Sequence, residues 1–301
     1  MIDFDSLLRD LKKKDSASQK NASVPGRQEQ MLDSDGDGIE DTVLVTESAD
    51  WDGDGKANYK KEHVGRDLNG DGREDEFALM EYTDSDGDGI FETVKFQEEL
   101  DTDGDGQVDF KTVGYYTRAG GDGSAAFSNT QVDCSGDGVT DYTEIRRGWD
   151  ENGDGRVDHV SVETGTGEGE HTFQEYSDLN HDGYLENIRF DGQLDTDGNG
   201  KIDYYVTGSG EDRDGDGVAE NSTRMEQLDR DGDGISETAV TYESLDFNGD
   251  GVADSVYGET SSDLDGDGIP ERRRNRNIDP VEVSPDQILD YVFSVPGSEN
   301  E

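Results

Sequence analysis

This chain has little of what a packed globular core needs. Only 29% of its 301 residues are hydrophobic. No apolar stretch approaches the roughly 18 residues of a membrane span. Cys134 is the single cysteine, so no intramolecular disulfide can form. The four histidines, His63, His159, His171 and His181, have no zinc-ligand spacing. The N-terminus lacks the uninterrupted apolar core of a secretory signal. Positive charge is scarce: 26 Lys and Arg stand against 76 Asp and Glu, for a net charge of −50. Phosphate backbones need clustered cations, so nucleic acid is excluded as a partner. The one basic run is Arg272-Arg273-Arg274 with Arg276. It reads as a solvated strand face, with an acidic docking surface as the alternative. Composition of this kind, taken alone, predicts disorder.

What the chain does have is a clock. Asp-x-Asp-Gly-Asp-Gly-x-x-Asp occurs in 13 loops, and ten of the 12 steps between them are 17 residues. Position 1 is always Asp: Asp33, Asp50, Asp67, Asp84, Asp101, Asp133, Asp150, Asp178, Asp195, Asp212, Asp229, Asp246 and Asp263. Position 3 always carries a side-chain oxygen: Asp35, Asp52, Asn69, Asp86, Asp103, Ser135, Asn152, Asn180, Asp197, Asp214, Asp231, Asn248 and Asp265. Position 5 is Asp37, Asp54, Asp71, Asp88, Asp105, Asp137, Asp154, Asp182, Asn199, Asp216, Asp233, Asp250 and Asp267. Hard divalent cations take oxygen ligands, and Ca2+ takes six to eight in a forgiving geometry. Position 6 is Gly throughout, as a backbone wrapped around an ion requires. Position 4 is Gly except for His181.

Position 7 varies freely, so it is read as a main-chain carbonyl ligand: Ile39, Lys56, Arg73, Ile90, Gln107, Val139, Arg156, Tyr184, Lys201, Val218, Ile235, Val252 and Ile269. An EF-hand would close its shell with Glu at position 12. Here Glu144 is the only acid at that position. The acids stand instead at position 9: Asp41, Asp75, Glu92, Asp109, Asp141, Asp158, Glu186, Asp203, Glu220, Glu237, Asp254 and Glu271, with Asn58 the one exception. The shell therefore closes in nine residues, and helix-loop-helix is not expected.

This nine-residue pattern resembles the calcium loops of FG-GAP repeats, the units of integrin-type β-propellers. The resemblance implies Ca2+ held by positions 1, 3, 5, 7 and 9 of a loop joining two antiparallel strands. It covers the loops from 33–41 to 263–271; that family's Phe-Gly and Gly-Ala-Pro signatures are missing. Thrombospondin type 3 repeats are more distantly similar, but they are rich in cysteine. RTX proteins carry a different nonapeptide, Gly-Gly-x-Gly-x-Asp, which is absent here.

The segments between loops, such as Thr42–Ala49 and Thr238–Leu245, are eight residues long and alternate apolar with polar. They read as strands with one buried face, carrying Val43 and Val45, Phe77 and Leu79, Val94 and Phe96, Val160 and Val162, Ile188 and Phe190. Two steps of the clock fail. Gly120–Gly123 marks a degenerate loop, and Gly165–Gly169 an ordinary hairpin turn, and strand alternation survives both. The fold expected is all-β: an antiparallel meander of about 16 short strands, propeller-like or not, with a solenoid as the alternative. Residues 1–14 read as a short helix, 15–30 as a linker and 31–279 as the repeat domain. Residues 280–301 read as a tail whose helix opens at Ser284.

About 13 divalent ions would lower the formal charge to −24, so folding is expected to depend on metal. Mg2+ fits less well because it keeps its waters; lanthanides remain open. The first functional reading is a Ca2+-rigidified structural or adhesive protein, extracellular or at a cell surface, meeting a protein partner through its ends. The second is a module recognising protein or glycan through Trp51, Trp149, Tyr115-Tyr116 and Tyr204-Tyr205, residues that strand packing also explains. An intracellular calcium buffer is the third. No carboxylate pair or nucleophile motif stands out, so no enzyme is expected.

Overall fold

The computed structural model describes residues 26–33, 38, 40–118, 124–153, 156–167, 169–181, 185–214, 219–248 and 254–278. The expected terminal helices, residues 15–25 of the linker and Gly120–Gly123 lie outside them. So do Asp35, Asp37, Ile39, Asp154, Asp182, Tyr184, Asp216, Val218, Asp250 and Val252.

The described elements are all strands, in two compact units, Met1–Val139 and Thr140–Glu301. The first unit holds β1 (Gly26–Leu32), β2 (Thr42–Ala49), β3 (Tyr59–Arg66), β4 (Glu76–Thr83), β5 (Thr93–Leu100), β6 (Phe110–Arg118) and β7 (Ser124–Val132). The second holds β8 (Tyr142–Trp149), β9 (His159–Thr166), β10 (His171–Ser177), β11 (Asn187–Leu194), β12 (Tyr204–Glu211), β13 (Asn221–Leu228), β14 (Thr238–Leu245), β15 (Ser255–Ser262) and β16 (Arg272–Ile278). Within each unit every strand pairs antiparallel with its neighbour in the chain, and first and last strands do not meet. Neither unit closes into a barrel or breaks into four-stranded blades. Antiparallel pairing also rules out the solenoid.

β1 begins at Gly26, inside the stretch expected to be linker. Its polar sequence hid it, because all seven residues are exposed and it is held by main-chain pairing with β2. The expected hairpin after β9 is present: β9 pairs with β10, and the Thr166 N–H donates to the Glu170 carbonyl (3.0 Å).

Burial departs from the simple alternation. A clean two-residue rhythm appears on β11 and β12, where Ile188, Phe190, Val206 and Gly208 are buried. Phe190 and Val206, with Tyr204 against them, make the core of the second unit. Val94 is buried too, but Val43, Val45, Phe77, Leu79, Phe96, Val160 and Val162 are only half-buried. Too few large apolar side chains are available to cover either sheet face. Large side chains lie instead over cross-strand glycines: Phe96 opposes Gly114, and Phe190 opposes Gly208. Aromatic-over-glycine pairing also fixes register.

Candidate metal centres

Each fully described loop fills the nine residues between two strands. Trp51 to Lys56, for example, turn between Ala49 and Tyr59. The position-9 amide closes the hairpin by donating to the last carbonyl of the preceding strand, as Asn58 does to Ala49 (2.9 Å) and Asp75 to Arg66 (2.7 Å).

Position 1 is the anchor. One carboxylate oxygen accepts the position-4 amide and the other the position-6 amide: Gly53 (2.7 Å) and Gly55 (2.9 Å) onto Asp50, Gly87 (2.7 Å) and Gly89 (2.8 Å) onto Asp84. Asp67, Asp101, Asp133, Asp195, Asp229 and Asp263 repeat this clamp. Both glycines adopt positive φ to aim their amides inward, for example 77° at Gly87 and 90° at Gly89. Asp84 and Asp229 are only 1% exposed, so position 1 is not a solvated acidic turn. A buried carboxylate needs such donors or a cation.

The other positions are tied in sequence. Position 3 accepts the position-5 amide, as in Asp71 N–H to Asn69 (2.9 Å) and Asp105 N–H to Asp103 (3.0 Å). Position 5 accepts the position-7 amide, as in Lys56 onto Asp54 and Ile90 onto Asp88 (both 2.7 Å). Position 9 folds back onto the position-2 amide: Trp51 onto Asn58 (2.6 Å), Leu68 onto Asp75 (2.6 Å), Ser85 onto Glu92 (2.5 Å), Leu179 onto Glu186 (2.7 Å), Phe247 onto Asp254 (2.8 Å). Position 2, where Cys134 stands in its loop, is not expected to supply a ligand. Its side chain is indeed free to vary, but its amide aims the ninth residue, and nothing in the residue type reveals that.

Amide side chains modify the loop. Where position 3 is Asn, it donates to the position-9 carboxylate: Asn69 to Asp75 and Asn152 to Asp158 (both 3.0 Å), Asn248 to Asp254 (3.4 Å). The loop at 50 reverses the partners, with Asn58 donating to Asp52 (3.4 Å). Without an amide, like charges face one another. Asp267 and then Glu271 push the Asp265 carboxyl above its ordinary range. Elsewhere donors win. The Thr102 hydroxyl and main-chain N–H hold the Asp109 carboxyl low. Burial pushes Asp133 up, but the Gly138 and Gly136 amides, with Ser135 and Asp137, bring it below the usual range.

Carboxylate oxygens of Asp84, Asp86, Asp88 and Glu92 lie within 4.8 Å of one another, as do those of Asp263, Asp265, Asp267 and Glu271. Three-acid groups form at Asp50, Asp52 and Asp54; at Asp101, Asp103 and Asp109; and at Asp195, Asp197 and Asp203. Asp105 stands apart from its group, holding both the main-chain and side-chain amides of Gln107 (2.7 and 2.9 Å). These groups can hold a metal ion. Their donors are all oxygen, with no thiolate or imidazole, which suits a hard cation.

His181 departs from the repeat. It holds φ 58° at a glycine position, and its ring meets Asp158 of the neighbouring loop at 3.0 Å. Among the described aromatics, Trp149 stacks on His159 and Tyr115 on Phe127, so these serve strand packing. Trp51 stacks on Tyr59 but stays 66% exposed. Comparison of the chain with protein-family models, with curated proteins and with solved structures finds no match. Among the described residues no helix is long and apolar enough to cross a membrane.

Proposed function

We propose that this chain is a multi-site calcium-binding structural protein, with about 13 loops of the Asp33–Asp41 type, rigidified by Ca2+ in an extracellular or cell-surface setting. The observation that carries the reading is the four-carboxylate group at Asp84, Asp86, Asp88 and Glu92. Its oxygens are no farther apart than two Ca–O bonds of about 2.4 Å laid end to end. The resemblance of the loops to FG-GAP calcium loops supports the same ion. Positions 1, 3, 5 and 9 would hold it by side chains and position 7 by its carbonyl. The ion supplies charge neutralisation and a fixed turn; the strands supply the body.

The extracellular setting rests on the sites being of low affinity, which a Ca2+ titration reads. Sites of millimolar class fill outside cells and stay empty in cytosol. The partner would be a protein met through the ends of the array. Calorimetry with Ca2+ tests the whole reading. About 13 sites in the millimolar range support it. A few submicromolar sites would favour an intracellular buffer, and no heat with Ca2+ would remove calcium from the account. The thermal melt followed by circular dichroism should fall in chelator, and an unchanged melt there would count against the reading.

A second reading rests on exposed loop tips. Trp51 is 66% and Phe247 75% exposed, each at position 2 of its loop. Such side chains suit contact with protein or glycan. Trp51→Ala and Phe247→Ala should leave Ca2+ stoichiometry unchanged, and binding on a glycan array that both variants lose would favour this reading.

A further inference from the structure

Antiparallel alternation sends consecutive loops to opposite rims of a sheet, so a loop's spatial neighbour is the one two repeats on. These neighbours are joined by one recurring bond. The position-1 amide donates to the position-9 carbonyl of the earlier loop on the same rim. In the first unit Asp67 donates to Asp41 (2.9 Å), Asp84 to Asn58 (2.8 Å) and Asp101 to Asp75 (2.8 Å). In the second, Asp212 donates to Glu186 (2.9 Å), Asp229 to Asp203 (2.8 Å) and Asp263 to Glu237 (3.0 Å). Both residues of each bond are side-chain ligands in the calcium reading. One hydrogen bond thus connects the last ligand of one site to the first ligand of the next. Side chains reinforce it: Lys56 Nζ donates to the Asp88 carbonyl 32 residues on (2.7 Å).

The metal-free turn preserves the connection. The Gly167 amide donates to the Asp141 carbonyl (3.0 Å), and the Asp195 amide donates to the Glu170 carboxylate (3.2 Å). Asp133 to Asp109 (2.7 Å) and Asp178 to Asp158 (3.0 Å) make the same bond across the two places where the intervening turn has lost its motif. No such bond among the described residues joins loops separated by one strand alone, a span of about 27 Å.

We infer that the loops fill rim by rim: cations bind cooperatively among loops sharing a rim of one unit, and independently across the sheet. This rests on the calcium reading and adds the order of filling to it. Ordering position 9 around an ion fixes the carbonyl that holds the next position 1, so the second ion meets a prearranged ligand. Repulsion between ions opposes this. At about 10 Å, two strand spacings, salt screens two divalent charges to about a threefold penalty in affinity. The relay must exceed that factor to appear as positive cooperativity.

The test is a Ca2+ titration of the full chain followed by the amide NMR signals of Thr196, Arg213, Phe247 and Leu264. Each sits at position 2 of its loop and donates to position 9. The loop at 229 is disabled by Asp233→Ala, with Asp233→Asn as the milder second variant; neither removes a bond between loops. Midpoints at Thr196 and Leu264, on the same rim, should rise by about fivefold or more, the usual scale of coupling between sites. Those at Arg213 and Phe247, nearer in sequence, should stay within about twofold. Equal shifts at all four, or shifts at none, overturn the relay and leave the calcium reading standing. No Ca2+ response in the unaltered chain overturns both.

Discussion

The ring of Phe190 lies across Gly208, its partner on the neighbouring strand, so closely that a Cβ built there would come 2.3 Å from Cζ. The Thr223 carbonyl is 2.8 Å from the same point, and Phe190 is 1% exposed, so neither side can retreat. Gly208→Ala should therefore destabilise the second unit by about 1–3 kcal/mol through overpacking. Phe190→Ala, which empties the core instead, should cost about 3–5 kcal/mol. Urea midpoints of the two variants check both values.

Asn69 is a second point of leverage. Asn69→Asp removes its bond to Asp75 and sets two carboxylates face to face. In chelator the variant should be less stable, by about 1 kcal/mol for the lost hydrogen bond plus the repulsion added. With Ca2+ present, the fourth carboxylate should tighten this site. A thermal melt that falls in chelator and recovers in Ca2+ is the expected pair of outcomes. A fall in both would show that the amide matters to the turn alone.

The carboxyl shifts set a pH dependence for the ion-free chain. Asp109, Asp133 and Asp195 are held low in the fold, so unfolding them takes up protons in acid. Their stabilisation is complete above the unfolded carboxylate range, near pH 4, and is lost as pH falls through their lower folded values. Asp265 has the opposite sign. Its raised carboxyl favours the fold fully below the unfolded carboxylate value, and that contribution is lost as pH rises through the higher folded value. Urea midpoints measured from pH 7 to pH 2 in chelator should fall in the acid limb. Asp133→Asn should flatten that limb, and Asp265→Asn should raise stability at neutral pH.

His181 gives a rank order. A non-glycine residue at φ 58° costs about 1 kcal/mol of backbone strain. Its contact with Asp158, itself nearly buried, offsets that cost. His181→Gly keeps the easy backbone and loses the contact, so it should be mildly destabilising. His181→Ala loses the contact and keeps the strain, so it should melt lower than the glycine variant.

Much of this architecture was readable in the residue order. The nine-residue loop followed from acids at position 9, and strands from the alternation between loops. The Gly165–Gly169 stretch announced a plain hairpin. What stayed hidden was main-chain business. β1 is polar because an exposed edge strand needs only backbone pairing. The donor at position 2 is a main-chain amide, and the Asp67-to-Asp41 type of link is main chain at both ends, so the residue types at those positions do not advertise the bonds. Lys56 reaching Asp88 became visible only once the meander brought repeats two steps apart together. Alternation also overstated burial: Val43 and Phe77 keep the pattern but lack enough neighbours to cover them.

The bond from one loop to the next but one also governs how such a chain can change length. Deleting a single 17-residue repeat would carry every later loop in its unit to the opposite rim. Each position-1 amide would then face a carbonyl series belonging to the other row. Removing or inserting 34 residues restores the original pairing at once. Growth by pairs is therefore the step this fold tolerates, and an odd insertion is a reversal of handed order for everything downstream.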